Sequence, residues 1–431
     1  MGQKQPEFYP IHAANAARAW ILGVILGASF ELDESTPLSY HNIASYTLTC
    51  AAGTGLAGLS DALWNRRTGL RANDFPHCDL ETWIGRVPGV EEVEWGADES
   101  AWVSRNNALI RLAAAQDGFS EQVAELVDRL GSSRVGVIMG TSTSSIGRTE
   151  QAYRHMQSEQ TFTPEYLQPE INNPHSPGAF ASWLFGTTGP CMTISTACSS
   201  SAKVFASASR WLDLGLVDAV VVGGADTLCL SVLYGFHSLQ LVSADPCRPF
   251  DRARNGINIG EAAGFAILEA ADEPSGISMS GYGESSDAHH MSHPHPEGAG
   301  ASAAMTAALE RSGLDPDEIG YINLHGTASP ANDVIESMAI GKIFDESHTR
   351  ISSTKGWTGH ALGAAGIVES VIVMESLRNR RFPGTLNLSD PDPDLDFSVA
   401  MDNGEFSQSS AMTNSFGFGG NNCSLVFTRH P

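Results

Sequence analysis

The 431-residue sequence has few cations. Lys and Arg number 25 against 49 Asp and Glu, which gives a formal net charge of −24 at pH 7. This charge disfavours nonspecific binding to nucleic acid or to an anionic membrane surface, and an acidic partner needs a local basic patch. We therefore expect no nucleic-acid partner and no membrane insertion.

Paired cysteines are also lacking. The seven cysteines are widely spaced, odd in number and without a CxxC pair. This pattern favours neither a disulfide framework nor a structural zinc site. Because free cysteines are typical of a reducing compartment, the sequence predicts a cytoplasmic location.

No apolar run has the length needed to cross a bilayer. The nearest is 19–30, "AWILGVILGASF", which has the length of a signal-peptide core. The region before it is long, barely basic and carries Pro6 and Glu7, so we favour an accessory helix or a start codon placed too early. Residues 1–42 are therefore treated as an N-terminal extension of uncertain structure.

From Ile43 onwards the pattern is α/β. Runs such as "RVGVIMG" and "AVVVGGAD" are continuously apolar, as buried parallel strands are, and they alternate with amphipathic segments and glycine turns. The polar stretch 271–276, "ADEPSG", is the best boundary between two halves, 43–272 and 273–431. Each half contains a strand, a loop of small residues and then a helix, which predicts two related α/β units.

A candidate nucleophile is Cys198, in "TISTACSSSAKVFASASRWLDLG". The spacing places it at the N-terminus of a helix that ends at Gly215. Unpaired N–H groups and the helix dipole favour a thiolate there, lower its pKa and can bind an oxyanion. Cysteine is also among the most buried residue types, so a lone cysteine is more often a small packing residue. On its own, this stretch leaves both interpretations open.

Two histidines and a lysine in the second half favour the chemical interpretation. His325, in "NLHGTASP", ends a strand where its side chain can face a shared pocket. His360, in "STKGWTGHALGAAG", lies five residues after Lys355, and Glu369 is a possible partner for that lysine. Ligands from single distant positions disfavour a metal site. Acyl transfer by a thiolate, with imidazoles that stabilise oxyanions, explains more of the pattern.

Four motifs then occur in order: "STACSSS", "NLHGTASPANDVIES", "SSTKGWTGHALGAAGIVES" and "TNSFGFGGNN". They resemble the motifs of the elongating β-ketoacyl-acyl-carrier-protein synthases, the thiolase-fold condensing enzymes of fatty acid and polyketide synthesis. The resemblance runs from about Ile43 to Phe427. It implies an α/β, five-layered αβαβα thiolase-like fold built from two similar halves.

The resemblance also implies a role for each matching residue. The expected catalytic residues are Cys198 as the nucleophile, His325 and His360 as the pair that supports decarboxylation, and Lys355 behind them. The expected assisting residues are Phe418 as a gate whose backbone N–H joins that of Cys198 in an oxyanion hole, Glu369 and Asp287 as supporting acids, and Thr327 and Ser329 as pantetheine-binding hydroxyls.

The implied reaction is a decarboxylative Claisen condensation of an acyl-enzyme thioester with malonyl-acyl carrier protein. No bound cofactor is expected, because the phosphopantetheine arm belongs to the carrier-protein substrate. The expected partners are an acyl carrier protein and, as the other half of a dimer, a second copy or a chain-length factor. The alternatives are a noncatalytic chain-length-factor-like protein, which typically lacks the nucleophile, and a degradative thiolase, which needs a second catalytic cysteine. Cys423 is near the C-terminus but on a predicted strand, where we expect it to pack.

Other features leave the pathway open. We expect the histidine-rich stretch 287–298, "DAHHMSHPHPEG", to be a gating loop rather than a metal site. The runs 378–381 and 66–67 either attract an acidic carrier or are solvated helix ends. The segment before "CRPFD" is short and offers Gln240 where the family has docking arginines, and Thr143 is a candidate for lining the acyl pocket. These departures slightly favour an aryl-polyene or pigment pathway over fatty acid synthesis, and the acyl chain length stays open.

Overall fold

The computed structural model describes residues 40–431. The interpretation of 19–30, and nearly all of the N-terminal extension, therefore lie outside the described residues. The strands are β1 Tyr40–Cys50, β2 Gly53–Thr54, β3 Arg71–Ala72, β4 Trp83–Gly85, β5 Val135–Gly140, β6 Cys191–Ile194, β7 Ala219–Asp226, β8 Ile259–Gly260, β9 Ala262–Ala271, β10 Ile277–Ser286, β11 Ile319–Asn323, β12 Arg350–Ser352, β13 Arg381–Phe382, β14 Gly404–Glu405, β15 Ser410–Gly417 and β16 Asn421–Arg429. The α-helices are α1 Gly55–Trp64, α2 Arg105–Ala114, α3 Phe119–Leu130, α4 Ile146–Glu159, α5 Ser176–Leu184, α6 Ser200–Asp213, α7 Leu230–Ser238, α8 Ala299–Ser312, α9 Pro330–Gly341, α10 Lys355–Thr358 and α11 Ala365–Asn379.

The main sheet consists of two groups of strands with the same topology. One group has the order β12-β11-β15-β16-β10, and the other has the order β6-β5-β7-β9-β1. In both groups the first two pairings are parallel and the last two are antiparallel. The groups meet where β1 and β10 pair antiparallel. This repeated order confirms the predicted fold of two similar units.

Alternate residues of the strands face two different cores. In β7, Val220 and Val222 pack in the core that contains α6 and α11, whereas Val221 packs with α2 and α5 in another. In the second group, Met412 of β15 packs with α8 on the outer face. The first layer is α2 with α5, and the second is the strand group that contains β7. The third layer is α6 with α11, the fourth is the strand group that contains β15, and the fifth is α8. This is the predicted five-layered arrangement.

The central helices α6 and α11 contact each other closely because small residues lie between them. A Cβ atom on Gly366 would be 2.3 Å from the backbone nitrogen of Ala202. Only glycine is compatible with that distance without a shift of one helix. The contact fixes the end of α6 that follows Cys198 against the segment that follows His360.

Most predicted elements occur where the sequence indicated them, with local differences. The run "AVVVGGAD" matches β7 from end to end, and α8 ends at Gly313, whose φ is 67°. The first strand begins at Tyr40, earlier than predicted. After His360 the chain forms a short 3-10 turn, Leu362–Ala364, before α11 begins. Within residues 40–431, no helix combines the length and the apolar character that crossing a membrane requires.

Candidate active site

Cys198 lies in a tight turn between β6 and α6. Ala197, the residue before it, has a φ of 53°, which is the left-handed region that a side chain disfavours. Ser200 holds this turn, because its hydroxyl donates to the Ala197 carbonyl at 2.6 Å and accepts the Thr196 N–H at 2.9 Å. This strained turn directs the buried Cys198 side chain away from the sheet and toward the second half of the chain.

The Cys198 sulfur contacts groups from two distant segments. Its Sγ lies 2.9 Å from Nε2 of His360, and the backbone N–H of Phe418 donates to it. Burial raises the pKa of this thiol to about 11, although the charge of Lys355 and the Phe418 N–H act in the opposite direction. The lowered pKa expected from the helix N-terminus is therefore wrong for the resting site, because desolvation outweighs the favourable dipoles. The resting group is a neutral thiol.

Both predicted histidines join Cys198 in one buried cluster. The ring centroids of His325 and His360 are 5.4 Å apart, and the ring planes make an angle of 83°. One ring nitrogen from each histidine and the sulfur of Cys198 all lie within 4.8 Å of one another. Burial, followed by the nearby charge of Lys355, holds the pKa of each imidazole well below 6.5. Two neutral imidazoles therefore face the thiol.

Lys355 and Glu369 form a buried ion pair behind the histidines, as their positions in the sequence suggested. The Lys355 ammonium also donates to the backbone carbonyl of His325. Burial raises the pKa of Glu369 to about 7, against the opposing charge of Lys355. The pair fixes the backbone that carries His325 and keeps a positive charge close to both imidazoles, which favours their neutral form.

Two residues that the sequence analysis missed hold the histidine loops. Glu336 of α9 accepts the backbone N–H groups of His325 and Gly326, each at 2.7 Å, and its pKa is raised to about 7 by burial. The carbonyl of Asn258 accepts the His360 N–H at 2.7 Å. The only signal for Glu336 was an acidic residue among the apolar positions of "PANDVIES".

A third missed residue, Asp226, connects the two halves at the end of β7. Its buried carboxylate accepts the N–H of Ser142 at 2.8 Å, the N–H of Thr143 at 2.9 Å and the N–H of Gly363 at 2.7 Å. The hydroxyl of Thr143 also donates to it, at 2.7 Å. Thr143 is therefore bound to this carboxylate and is not among the residues that line the cavity over Cys198 in the described chain.

A cavity of about 320 Å³ opens above the cluster. Its wall includes Thr327 and Ser329, whose hydroxyls are 3.0 Å apart, and the rings of Phe418 and Phe236, whose centroids are 5.5 Å apart. Neither Lys nor Arg occurs among the lining residues from the described part of the chain. The cavity therefore combines apolar rings with uncharged polar groups, and Cys198 is among its lining residues.

The histidine-rich loop 287–298 forms another wall of this cavity. Asp287 fastens it, because its N–H donates to the Gly420 carbonyl at 2.9 Å and its carboxylate accepts the Asn422 side-chain amide at 2.8 Å. The Gly419 N–H donates to the Met291 carbonyl at 2.8 Å. The loop is thus bonded directly to the turn that carries Phe418.

The remaining candidates lie away from the cavity. Cys423 is fully buried in β16, as its interpretation as a packing residue requires. The two basic runs share one face, since Arg381 stacks on Trp64 at 4.8 Å and Arg66 donates to the Met401 carbonyl at 2.8 Å. None of these arginines lines the cavity.

Comparisons with known proteins agree with this geometry. Residues 108–273 match the model of the β-ketoacyl synthase N-terminal domain, and residues 277–389 match that of the C-terminal domain. The 3-oxoacyl-[acyl-carrier-protein] synthase 2 of Vibrio cholerae is 32% identical over 382 residues, which is 83% of this chain and 91% of that protein.

Solved structures give the same assignment. A chain of the ketosynthase (ApeO) in complex with its chain length factor (ApeC) from Xenorhabdus doucetiae is 35% identical, with a TM-score of 0.80 over 93% of this chain and 100% of that one. A β-ketoacyl synthase from Burkholderia phymatum is 27% identical, with a TM-score of 0.80 over 91% of this chain and 100% of that one. The chain belongs to the β-ketoacyl synthase family and has its thiolase-like fold.

Proposed function

We propose that this protein is a 3-oxoacyl-acyl-carrier-protein synthase that condenses an acyl group held on Cys198 with malonyl-acyl carrier protein. The observation that carries the proposal is the buried cluster in which the Cys198 sulfur lies 2.9 Å from His360 and beside His325. A chain-length-factor-like role is disfavoured because nucleophile and histidines are all present. A degradative thiolase is disfavoured because Cys423, buried in β16, is not among the residues that line the cavity.

In the first half-reaction, the Cys198 sulfur attacks the thioester carbonyl of an acyl-carrier protein. The new bond joins sulfur to the acyl carbon, the bond to the pantetheine sulfur breaks, and the thiol proton goes to that departing sulfur. The Phe418 N–H already points at the sulfur and supports the developing oxyanion together with the N–H of Cys198. The product is a neutral thioester, so acylation leaves no charge on the buried sulfur.

In the second half-reaction, malonyl-carrier protein occupies the same cavity. The bond to its carboxylate breaks, carbon dioxide leaves, and the electron pair forms an enolate whose oxygen accepts N–H bonds from His325 and His360. Neutral imidazoles suit this step, because they donate without providing a proton that would quench the carbanion. The carbanion then attacks the acyl carbon on Cys198, the carbon–sulfur bond breaks to release the 3-oxoacyl-carrier protein, and the Cys198 thiolate takes up one proton from solvent to restore the neutral thiol.

The remaining assignments are parts of the same proposal. Thr327 and Ser329 hold the pantetheine arm, Asp287 fastens the loop beside the gate formed by Phe418, and the reaction uses no metal or bound cofactor. One similar structure, a ketosynthase in complex with its chain length factor, supports a partnership with a chain-length factor, and a second copy of this chain is the alternative partner. We place the reaction in fatty acid or aryl-polyene-type synthesis in the cytoplasm.

The proposal is tested by following intact mass after incubation with acyl-carrier protein and then with malonyl-carrier protein. The wild-type protein should gain one acyl group, and Cys198→Ala should gain none. His325→Ala should still be acylated but should release carbon dioxide from malonyl-carrier protein at least about a hundredfold more slowly, because one donor to the enolate is lost.

Cys423→Ala is the matched control, since it removes a buried thiol outside the cavity, and it should be acylated like the wild type. An acyl adduct that persists in Cys198→Ala would overturn the nucleophile assignment. Decarboxylation at the wild-type rate in His325→Ala would overturn the role of the histidines.

A further inference from the structure

Two histidines of the loop 287–298 converge at the mouth of the cavity. The Nδ1 atoms of His290 and His293 are 3.1 Å apart, and their ring centroids are 4.8 Å apart. Both residues are exposed, and both line the cavity that contains Cys198. Their nitrogens are therefore accessible to a solute and lie in the wall of the cavity that contains Cys198.

The separation of these two nitrogens suits a single metal ion. Zinc–nitrogen bonds of about 2.0–2.1 Å, with angles between about 90° and about 110° at the metal, place two ligand nitrogens about 2.8–3.4 Å apart. The observed 3.1 Å falls inside that range. Imidazole is also a preferred ligand of zinc, copper and nickel.

Ser292 supplies a third donor at the same point. Its hydroxyl oxygen lies 3.2 Å from Nδ1 of His293 and 3.4 Å from Nδ1 of His290. Its backbone N–H donates to Nδ1 of His290 at 3.1 Å, and the two Nδ1 atoms are themselves within hydrogen-bond distance, so an ion that binds there must displace both hydrogen bonds.

The other two histidines of the loop are arranged differently. Nδ1 of His295 accepts the Glu297 N–H at 3.2 Å, and the His295 ring packs edge-on against His289 at 5.2 Å. Neither of these residues lines the cavity. They are therefore matched controls: the same residue type, in the same loop, away from the converging pair.

We propose that His290 and His293 form a chelating site for a divalent first-row transition metal such as Zn²⁺ at the mouth of the active-site cavity, and that the bound ion obstructs the cavity. The sequence favoured a gating loop over a metal site here, whereas the two neighbouring ring nitrogens favour a loop that a bound ion fixes against the cavity. Binding of the ion does not depend on the proposed function, whereas the obstruction of substrate does.

The binding experiment is calorimetric titration of the full-length protein with Zn²⁺ alone. It is made in the Cys198→Ala background, because Cys198, His325 and His360 are themselves close enough to share an ion. We expect one equivalent of Zn²⁺ to bind in this background. Adding His290→Ala or His293→Ala should weaken that binding by at least about tenfold, whereas adding His289→Ala should leave it unchanged.

Loss of all binding in Cys198→Ala would place the ion on the catalytic cluster and overturn the proposal. Binding that His290→Ala and His293→Ala do not weaken would also overturn it. Titration of the wild-type protein with Co²⁺ adds a spectroscopic check. Imidazole ligands alone give visible bands without the thiolate charge-transfer band that a Cys198 ligand would produce.

The obstruction is measured as inhibition of the condensation rate by Zn²⁺. The rate of each variant is divided by the rate of the same variant with a chelator present. The wild type and His289→Ala should be inhibited with the same midpoint, and His293→Ala should need at least about tenfold more Zn²⁺. Equal inhibition of wild type and His293→Ala would show that the ion at the loop does not close the cavity. If no condensation occurs under any condition, the proposed function fails while the binding result still stands.

Discussion

At the scale of single residues, the active-site histidines determine how the stability of the protein varies with pH. His325 and His360 are neutral in the fold because burial holds their pKa values well below 6.5. In the unfolded chain they bind protons as the pH falls through about 6.5, so acid favours unfolding. Above that pH the two histidines do not change the free energy of unfolding, and below it they lower that free energy.

We predict that His360→Asn reduces this acid sensitivity. Between about pH 7.5 and about pH 5.5 each buried histidine costs about 1.4 kcal/mol of unfolding free energy, and the variant should no longer show that loss. Glu336 and Glu369 act in the opposite sense, because their raised pKa values make the folded state bind protons more strongly as pH falls below about 7. They are present in both proteins, so the comparison isolates the histidine.

The measurement is urea unfolding of wild type and His360→Asn at both pH values. His289→Asn, which replaces an exposed histidine, is the control and should follow the wild type. The same pH dependence in wild type and His360→Asn would mean that the pKa of this imidazole is the same in the folded and unfolded states. Burial would then not hold the pKa of His360 below its ordinary value.

At the scale of secondary-structure elements, the sequence predicted the features that depend on residues close to one another along the chain. The run of β7 and the helix α8 with its terminal glycine follow from continuous apolar residues and from local turn chemistry. The positions of Cys198, His325 and His360 followed from a resemblance to known motifs. Each of these features is carried by a contiguous stretch of residues.

Other features could not be predicted from local patterns. Asp226 binds Gly363 across 137 residues, and Glu336 was one acidic residue in a helix until the fold placed it against the His325 loop. The pKa of Cys198 was also beyond local reasoning. The helix terminus is visible in the sequence, but the burial that outweighs it depends on segments from both halves.

The contact between α6 and α11 gives a prediction for Gly366. Replacing it with alanine should lower the free energy of unfolding by about 1–3 kcal/mol, because the new Cβ would meet the Ala202 backbone at 2.3 Å. Gly235 in α7 is the matched control, since a Cβ there meets nothing within 4 Å. Gly235→Ala should be neutral or stabilise by about 0.5–1 kcal/mol.

Denaturant unfolding of both variants measures the difference. A Gly366→Ala protein as stable as Gly235→Ala would show that the central helices separate easily. The same reasoning extends to Gly363, where a Cβ would lie 2.5 Å from the Ser142 nitrogen, so Gly363→Leu should also lower the free energy of unfolding.

At the scale of the whole molecule, the two halves share strand order and meet at the active site. The family models match 108–273 and 277–389, and the repeated strand groups are β6-β5-β7-β9-β1 and β12-β11-β15-β16-β10. We propose 43–272 and 273–431 as the structural halves. The first contributes the nucleophile and the second contributes the histidines, so neither half contains a complete site.

The overall charge gives the last prediction, which concerns the carrier protein. The chain has a net charge of −24, and the described residues that line the cavity include neither Lys nor Arg. An acidic carrier is therefore repelled at long range, and salt screens that repulsion over about 10 Å at 0.1 M ionic strength. We expect kcat/KM for malonyl-carrier protein to stay level or rise as salt increases from low to physiological concentration.

Acyl transfer from a neutral acyl-pantetheine is the control and should not change with salt. A fall of kcat/KM with the carrier protein alone would indicate a basic docking patch, and Arg378→Gln and Arg381→Gln would then test whether the basic face is that patch.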